Sequence, residues 1–169
     1  AYNAYTIKLI LKNYKKGKPV TSIKKIGGLF SSPWSIEFCR IGGKVISLDA
    51  IEHEIIRPQF GDNRIHFAVN CASKGCPPLL SNAYLPSIID QQLDQVTSVF
   101  INNVDSNYFE ENTLFVSKIF KWYKEDFPEG IPSFFSQYGS KQLRKNLESA
   151  GLNNIKMSYL NYDWSLNGQ

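Results

Sequence analysis

The segment that decides the fold is Ile65-His66-Phe67-Ala68-Val69-Asn70-Cys71, a mostly apolar run in the first half of a chain of 169 residues. A short apolar run with β-branched and aromatic residues predicts a strand that is buried on both faces of a sheet. Because side chains alternate along a strand, His66, Ala68 and Asn70 are expected on one face. A histidine and an asparagine would then point the same way, with space left between them by the alanine.

The pattern of elements around this strand predicts the α+β class. Helices and strands follow one another without a regular βαβ rhythm, which argues against a doubly wound sheet. We expect three or four strands in one small antiparallel or mixed sheet, packed with several helices. The predicted helices cover residues 3–14, 49–57, 86–101, 117–128, 134–138 and 141–150, and the predicted strands cover residues 44–48, 65–71, 112–116 and 155–159.

The first predicted helix has an apolar stripe that is expected to face the core. Its members at helical spacing are Ile7, Ile10, Leu11 and Tyr14. Asn3 falls on the same face, where it would be a buried amide that needs hydrogen-bond partners or a donor to an oxyanion. The chain opens inside this helix, so we expect one domain over residues 1–169 that lacks an N-terminal helical part.

Composition restricts the classes of function. Hydrophobic residues make up 43% of the chain and the net charge is +4, with lysines scattered along the sequence. Such a weak basic excess argues against a nucleic-acid-binding surface. No apolar run approaches the about 20 residues that a membrane span requires. Three cysteines are an odd number and too few for a disulfide scaffold.

The second predicted helix places a carboxylate toward the core. Asp49 is expected to cap this helix and Pro58 to end it. At about 100° per residue, Glu52 falls inside the apolar arc, whereas His53 falls outside it. A buried carboxylate is costly unless it is paired, so Glu52 is either a structural acceptor or the orienting carboxylate of a histidine.

The loop after the central strand contains two cysteines. Cys71 ends the apolar run as a buried thiol, and Cys76 lies in a Gly-Cys-Pro turn from which a thiol can reach solvent. Lys74 and a nearby histidine would lower the pKa of Cys76 and favour the thiolate. The alternatives are a disulfide between Cys71 and Cys76, an unreactive loop cysteine, or a zinc site formed by both cysteines with His66 and His53.

Taken together, these segments resemble the family known as domain of unknown function 547. The matching stretches are residues 1–4, 51–57, 66–79, 117–127 and 162–167. The resemblance implies a secreted, periplasmic or envelope-associated protein and a suspected cysteine-peptidase-like activity, for which a papain-like arrangement of helices and sheet is one expectation. The suspected Cys-His-Glu site would fall on Cys76 or Cys71, on His66 or His53, and on Glu52.

The leading hypothesis from the sequence is a thiol hydrolase, peptidase-like or amidase-like, that acts on a peptide or protein substrate without a cofactor or metal. Cys76 would be the nucleophile, His66 its base and Glu52 the orienter. Asn3 or Asn70 would donate to the oxyanion. The alternative is a non-catalytic binding module whose Glu/His/Cys motif is a structural hydrogen-bond network, or a zinc-binding version of it.

Overall fold

A computed structural model describes residues 1–28 and 31–168 of the chain. It confirms the α+β class, because helices alternate with a sheet of two strands and a sheet of three. The strands do not join the one sheet that we expected. The chain forms two compact units, of which the first comprises Ala1–Ile65, Val69–Cys76 and Asp163–Gln169, and the second comprises His66–Ala68 and Pro77–Tyr162.

The first unit is built around helix α1 and a β-hairpin. The hairpin strands pair antiparallel, with Cys39 opposite Ile46. The two-residue link, Gly42-Gly43, has φ of +57° and +79°, the positive values that tight hairpin turns require. In chain order, the elements are α1 (Tyr2–Lys12), β1 (Cys39–Ile41), β2 (Lys44–Ile46), α2 (Leu48–Ala50), a π-helix (Ile51–Ile56) and α3 (Arg57–Phe60), with 3₁₀ turns at Ile23–Lys25 and Pro33–Ser35.

Helix α1 buries a face that shares only Ile10 with the predicted stripe. Its buried residues are Tyr2, Thr6, Leu9 and Ile10. Ile7, Leu11 and Tyr14 of the predicted stripe are 46%, 58% and 44% exposed. Two apolar stripes run along this helix, and periodicity alone does not tell which of them faces the core.

The helix around Glu52 begins and ends differently from the prediction. Ser47 is the cap, since its hydroxyl accepts from the backbone N–H of Ala50 at 3.0 Å, so Asp49 was wrongly assigned this role. Pro58 does not end the helix either. It occupies the first turn of α3, where a missing N–H is tolerated, and the chain stays helical to Phe60 before Gly61 with φ of +58°.

The predicted central strand at residues 65–71 is wrong. Asn63–Phe67 forms a 3₁₀ helix instead, and the backbone N–H of Val69 donates to the carbonyl of Ile65 at 3.0 Å. The cause lies just upstream, where the Asp62 carboxylate accepts from the backbone N–H of Arg64 at 2.9 Å. A side chain that bonds its own backbone two residues on favours a turn over a strand. The alternation that grouped His66 with Asn70 therefore does not apply.

The second unit combines four helices with a mixed sheet. Strand β3 pairs antiparallel with β4, and β4 pairs parallel with β5. The predicted strands at 112–116 and 155–159 and the helices at 86–101 and 141–150 are confirmed in place. The elements are α4 (Ile89–Ile101, after a 3₁₀ turn Pro86–Ile88), β3 (Tyr108–Glu110), β4 (Thr113–Val116), α5 (Ile119–Trp122), α6 (Ile131–Tyr138), α7 (Lys141–Ala150) and β5 (Lys156–Tyr159), with 3₁₀ turns at Lys124–Asp126 and Leu152–Asn154.

An aromatic cluster forms the core of the second unit. Phe67 is fully buried, and its ring lies 5.3 Å from that of Phe100 and 5.7 Å from those of Phe120 and Phe134. Aliphatic residues of α4, β4 and α7 complete the cluster. Among the described residues, no helix has the length and apolar character needed to cross a membrane.

We expect Phe67→Ala to lower the free energy of unfolding by about 3–5 kcal/mol, because it leaves a cavity within packed rings. Urea denaturation would measure the change. Phe60→Ala is the control, since Phe60 is 70% exposed and its loss should change stability by less than about 0.5 kcal/mol. Equal effects of the two substitutions would contradict the assignment of Phe67 to the core.

Candidate functional site

The cysteine loop of the first unit contains a disulfide between Cys71 and Cys76, whose Cα atoms are 6.3 Å apart. Of the alternatives from the sequence, this is the one present. The Ser73 hydroxyl lies 3.1 Å from Cys71 Sγ and 3.3 Å from Cys76 Sγ. Neither sulfur of a disulfide has a proton to donate, so the hydroxyl is the donor. The backbone N–H of Cys71 also donates to Cys76 Sγ, at 3.0 Å.

The third cysteine lies elsewhere in the first unit. Cys39 is a free, fully buried thiol on strand β1. Burial raises the pKa of this thiol, and the charge of Lys8 opposes the rise only in part. A protonated, buried thiol is unreactive.

Asn70 fixes the start of the cysteine loop. Its side-chain oxygen accepts from the backbone N–H of Ala72 at 2.8 Å and from Asn167 Nδ2 at 3.1 Å. The first bond supports a left-handed Ala72, with φ of +62°, which is unusual for a residue other than glycine. The backbone N–H of Asn70 donates to Asn3 Oδ1 at 2.9 Å. The two predicted oxyanion donors thus use their side-chain oxygens as acceptors that hold the backbone.

The segment at residues 163–167 forms the other wall of the loop, and sequence reasoning did not assign it a role. Backbone N–H groups of Lys74 and Gly75 donate to carbonyls of Ser165 and Asp163, both at 2.9 Å. Ser165 donates its hydroxyl and its backbone N–H to the Asp163 carboxylate, and these bonds lower the pKa of Asp163. The signal in the sequence was the Tyr-Asp-Trp-Ser-Leu-Asn stretch, which entered only through the family resemblance.

Glu52 is buried as predicted, with 5% of its surface exposed, on the π-helix of the first unit. Within residues 1–28 and 31–168, its Oε1 atom has no hydrogen-bond partner. Partial burial raises the pKa of neighbouring Asp49, with His53 opposing and Glu52 adding to the rise. Short π-helical stretches such as Ile51–Ile56 occur often at functional sites.

His53 lies on the π-helix of the first unit. It is exposed, as predicted, and its Nδ1 lies 3.1 Å from Arg57 Nη1 on the next helical turn. Such an exposed contact between residues four apart stabilises a helix only slightly.

His66 belongs to the second unit, where it is 2% exposed. Its Nε2 lies 2.6 Å from Asp126 Oδ2, and its ring stacks on Tyr123 with centroids 4.0 Å apart. This pair spans 60 residues of sequence. Asp126 and Tyr123 occur in a stretch that the family resemblance included, but spacing alone gave no sign that they meet His66.

The described side chains offer no group of three or more His, Cys, Asp or Glu residues arranged to hold a metal ion. The zinc alternative therefore has no ligand cluster within residues 1–28 and 31–168. Asn3, Asn70, Cys71 and Cys76 do come together in the first unit through the bonds above.

The family model "Protein of unknown function, DUF547" matches residues 1–101 of the chain. The chain belongs to this family. Neither a curated protein nor a solved structure matches it. The match confirms the resemblance recognised in the sequence, and its description assigns no activity, so it does not support the suspected peptidase function.

The His66–Asp126 pair of this DUF547 domain should contribute to stability. We expect Asp126→Ala to lower the free energy of unfolding by about 1–3 kcal/mol, because it removes a partner from a buried imidazole. Thermal and urea denaturation would both report the loss. Glu129→Ala is the matched control, since it removes an exposed carboxylate three residues away. If Asp126→Ala is as stable as this control, the pair has no structural role.

Proposed function

We propose that this DUF547 domain is a non-catalytic binding module in which the Cys, Asn and His residues of the motif have structural roles. The observation that supports this most is the disulfide between Cys71 and Cys76. Both sulfurs that a thiol hydrolase could use are joined to each other. A disulfide sulfur has no thiolate to attack an acyl carbon, and the thiolate is the nucleophilic form of cysteine.

The contacts of the cysteine loop also favour a structural role. Its buried groups bond to backbone atoms: Asn70 holds the turn at Ala72, and the segment at residues 163–167 pairs with the far side of the loop. Ser73 is buried with its hydroxyl between the two sulfurs. A network whose polar groups satisfy one another keeps a loop in one conformation.

The surroundings of the histidine support the same proposal. A general base must come within hydrogen-bond reach of the proton that it abstracts. His66 is almost completely buried, stacked on Tyr123 and bonded to Asp126. This environment is that of a histidine that ties elements of a core together.

Alkylation of the native protein tests the proposal. We expect iodoacetamide to leave Cys71 and Cys76 unlabelled until a dithiol reductant is added, since both are in the disulfide. Cys39 is the internal control and should stay unlabelled in both conditions, because it is a buried thiol. Peptide mass spectrometry would identify the labelled cysteines. Fast labelling of Cys76 in unreduced protein would contradict the proposal.

The double variant Cys71→Ser/Cys76→Ser tests the contribution of the disulfide to stability. Loss of a cross-link that closes a short loop is expected to lower the free energy of unfolding by about 2 kcal/mol. Denaturation by urea would measure it, with Cys71→Ser/Cys76→Ser compared against the oxidised and the reduced wild type. Reduced wild type should resemble the variant.

A thiol hydrolase that acts only after reduction is the second candidate. The observation that favours it is the pair of donors at Cys76 Sγ, the N–H of Cys71 and the hydroxyl of Ser73, which would stabilise a thiolate. A dithiol would reduce the disulfide to two thiols and itself become a disulfide. Cys76 would then attack a peptide or amide carbonyl and release the amine, and water would hydrolyse the thioester.

Turnover separates the two candidates. The binding module predicts that oxidised and reduced protein both fail to hydrolyse a library of fluorogenic peptide and amide substrates. The hydrolase predicts activity in reduced protein only, abolished by Cys76→Ser and retained by Cys39→Ser. Reduced protein that cleaves any member of the library with this dependence would replace the first proposal with the second.

A further inference from the structure

An apolar stripe on helix α1 is exposed although α1 packs its other side into the first unit. Ile7, Leu11 and Tyr14 are 46%, 58% and 44% exposed. At about 100° per residue, Ile7 and Leu11 fall within an arc of about 40° on the outer side of the helix. Tyr14 lies two residues beyond the end of α1, and its backbone N–H donates to the carbonyl of Leu11 at 3.3 Å.

Lysines flank this stripe. Lys8 and Lys12 follow Ile7 and Leu11 on α1, and both are exposed. Lys15 and Lys18 exchange two backbone hydrogen bonds, of 2.9 and 3.1 Å, around a tight turn in which Lys16 has φ of +52°. This turn fixes three more exposed lysines at the end of the helix.

No carboxylate in the surrounding sequence offsets these charges. The first acidic residue of the chain is Glu37, so residues 1–36 contain lysines but neither aspartate nor glutamate. The charge of the chain is therefore uneven: its basic excess lies in the part that contains the exposed stripe. A helix with one apolar strip beside a basic strip is the pattern of segments that lie at a membrane interface.

The size of the surface favours a lipid partner over a protein. A stable protein interface buries about 800 Å² on each side and needs a complementary shape. Two apolar side chains on α1 and one just after it form a small patch by that standard. A bilayer needs no shape match, since apolar side chains enter the acyl boundary while lysines contact anionic headgroups. A nucleic acid would satisfy the lysines but not the exposed isoleucine and leucine.

We propose that α1 and the turn after it dock the domain on an anionic phospholipid surface. We call this the α1 docking surface and define it by Ile7, Lys8, Leu11, Lys12, Tyr14, Lys15, Lys16 and Lys18. The proposal rests on the binding function above and names the class of partner. Helix α1 lies along the membrane and does not cross it.

Sedimentation with vesicles tests this surface in the intact chain. Vesicles of phosphatidylcholine with phosphatidylglycerol should bind the protein, whereas vesicles of phosphatidylcholine alone should not, and added salt should weaken the binding. Lys15→Gln/Lys16→Gln should weaken it about 25-fold, since each lysine near an anionic surface contributes about fivefold. Leu11→Ser should weaken it about tenfold through loss of apolar burial.

Two matched controls separate the docking surface from general charge and general hydrophobicity. Lys141→Gln/Lys145→Gln removes the same charge from exposed positions of α7 and should leave vesicle binding unchanged. Val104→Ser removes an apolar side chain that is 73% exposed and lies outside the α1 docking surface, and it should also leave vesicle binding unchanged. All four variants change exposed residues, and circular dichroism would verify that each retains the fold.

Three outcomes would overturn the proposal. They are absence of sedimentation with anionic vesicles, equal binding to neutral vesicles, and equal weakening by the α7 control. Binding to poly-glutamate without binding to vesicles would point to an acidic protein instead. If the protein does not bind vesicles and its disulfide cysteines are not alkylated, only this inference is overturned. If the protein binds vesicles and hydrolyses peptides after reduction, only the proposed function is overturned.

Discussion

The bonds made by Asn70 are the constraint on which the first unit depends. Its side-chain oxygen accepts hydrogen bonds from the backbone N–H of Ala72 and from the side-chain amide of Asn167. Its backbone N–H donates to the side-chain oxygen of Asn3. Three separate stretches of chain therefore meet at one residue. The bond from Ala72 stabilises the left-handed backbone there, inside the loop that the disulfide closes.

The short motif around residues 66–76 serves two separate networks. His66 and Phe67 belong to the second unit, where Asp126 and the aromatic cluster receive them. Asn70 and the cysteines belong to the first unit. Closeness in sequence suggested one reaction centre, but residues a few positions apart contribute here to different cores. A dense polar motif can thus reflect the folding of two units and need not mark one reaction centre.

The regular, strongly periodic elements were predictable, and the sites governed by distant or local polar contacts were not. Helix α4 and strand β4 follow from their apolar periods, and so does the burial of Glu52. The strand proposed at residues 65–71 failed because Asp62 starts a turn that composition does not reveal. The partner of His66 lies 60 residues away, a separation that no spacing rule covers.

The discontinuity of the first unit sets an order on its assembly during synthesis. Asn167 reaches Asn70 across 97 residues, and the whole of Pro77–Tyr162 is translated in between. At about 5–20 residues per second, a ribosome needs roughly 5–20 s to cover that distance. The cysteine loop is therefore made before the segment at residues 163–167 that packs against it. During this interval its two thiols can be oxidised, pair with each other or react with another thiol.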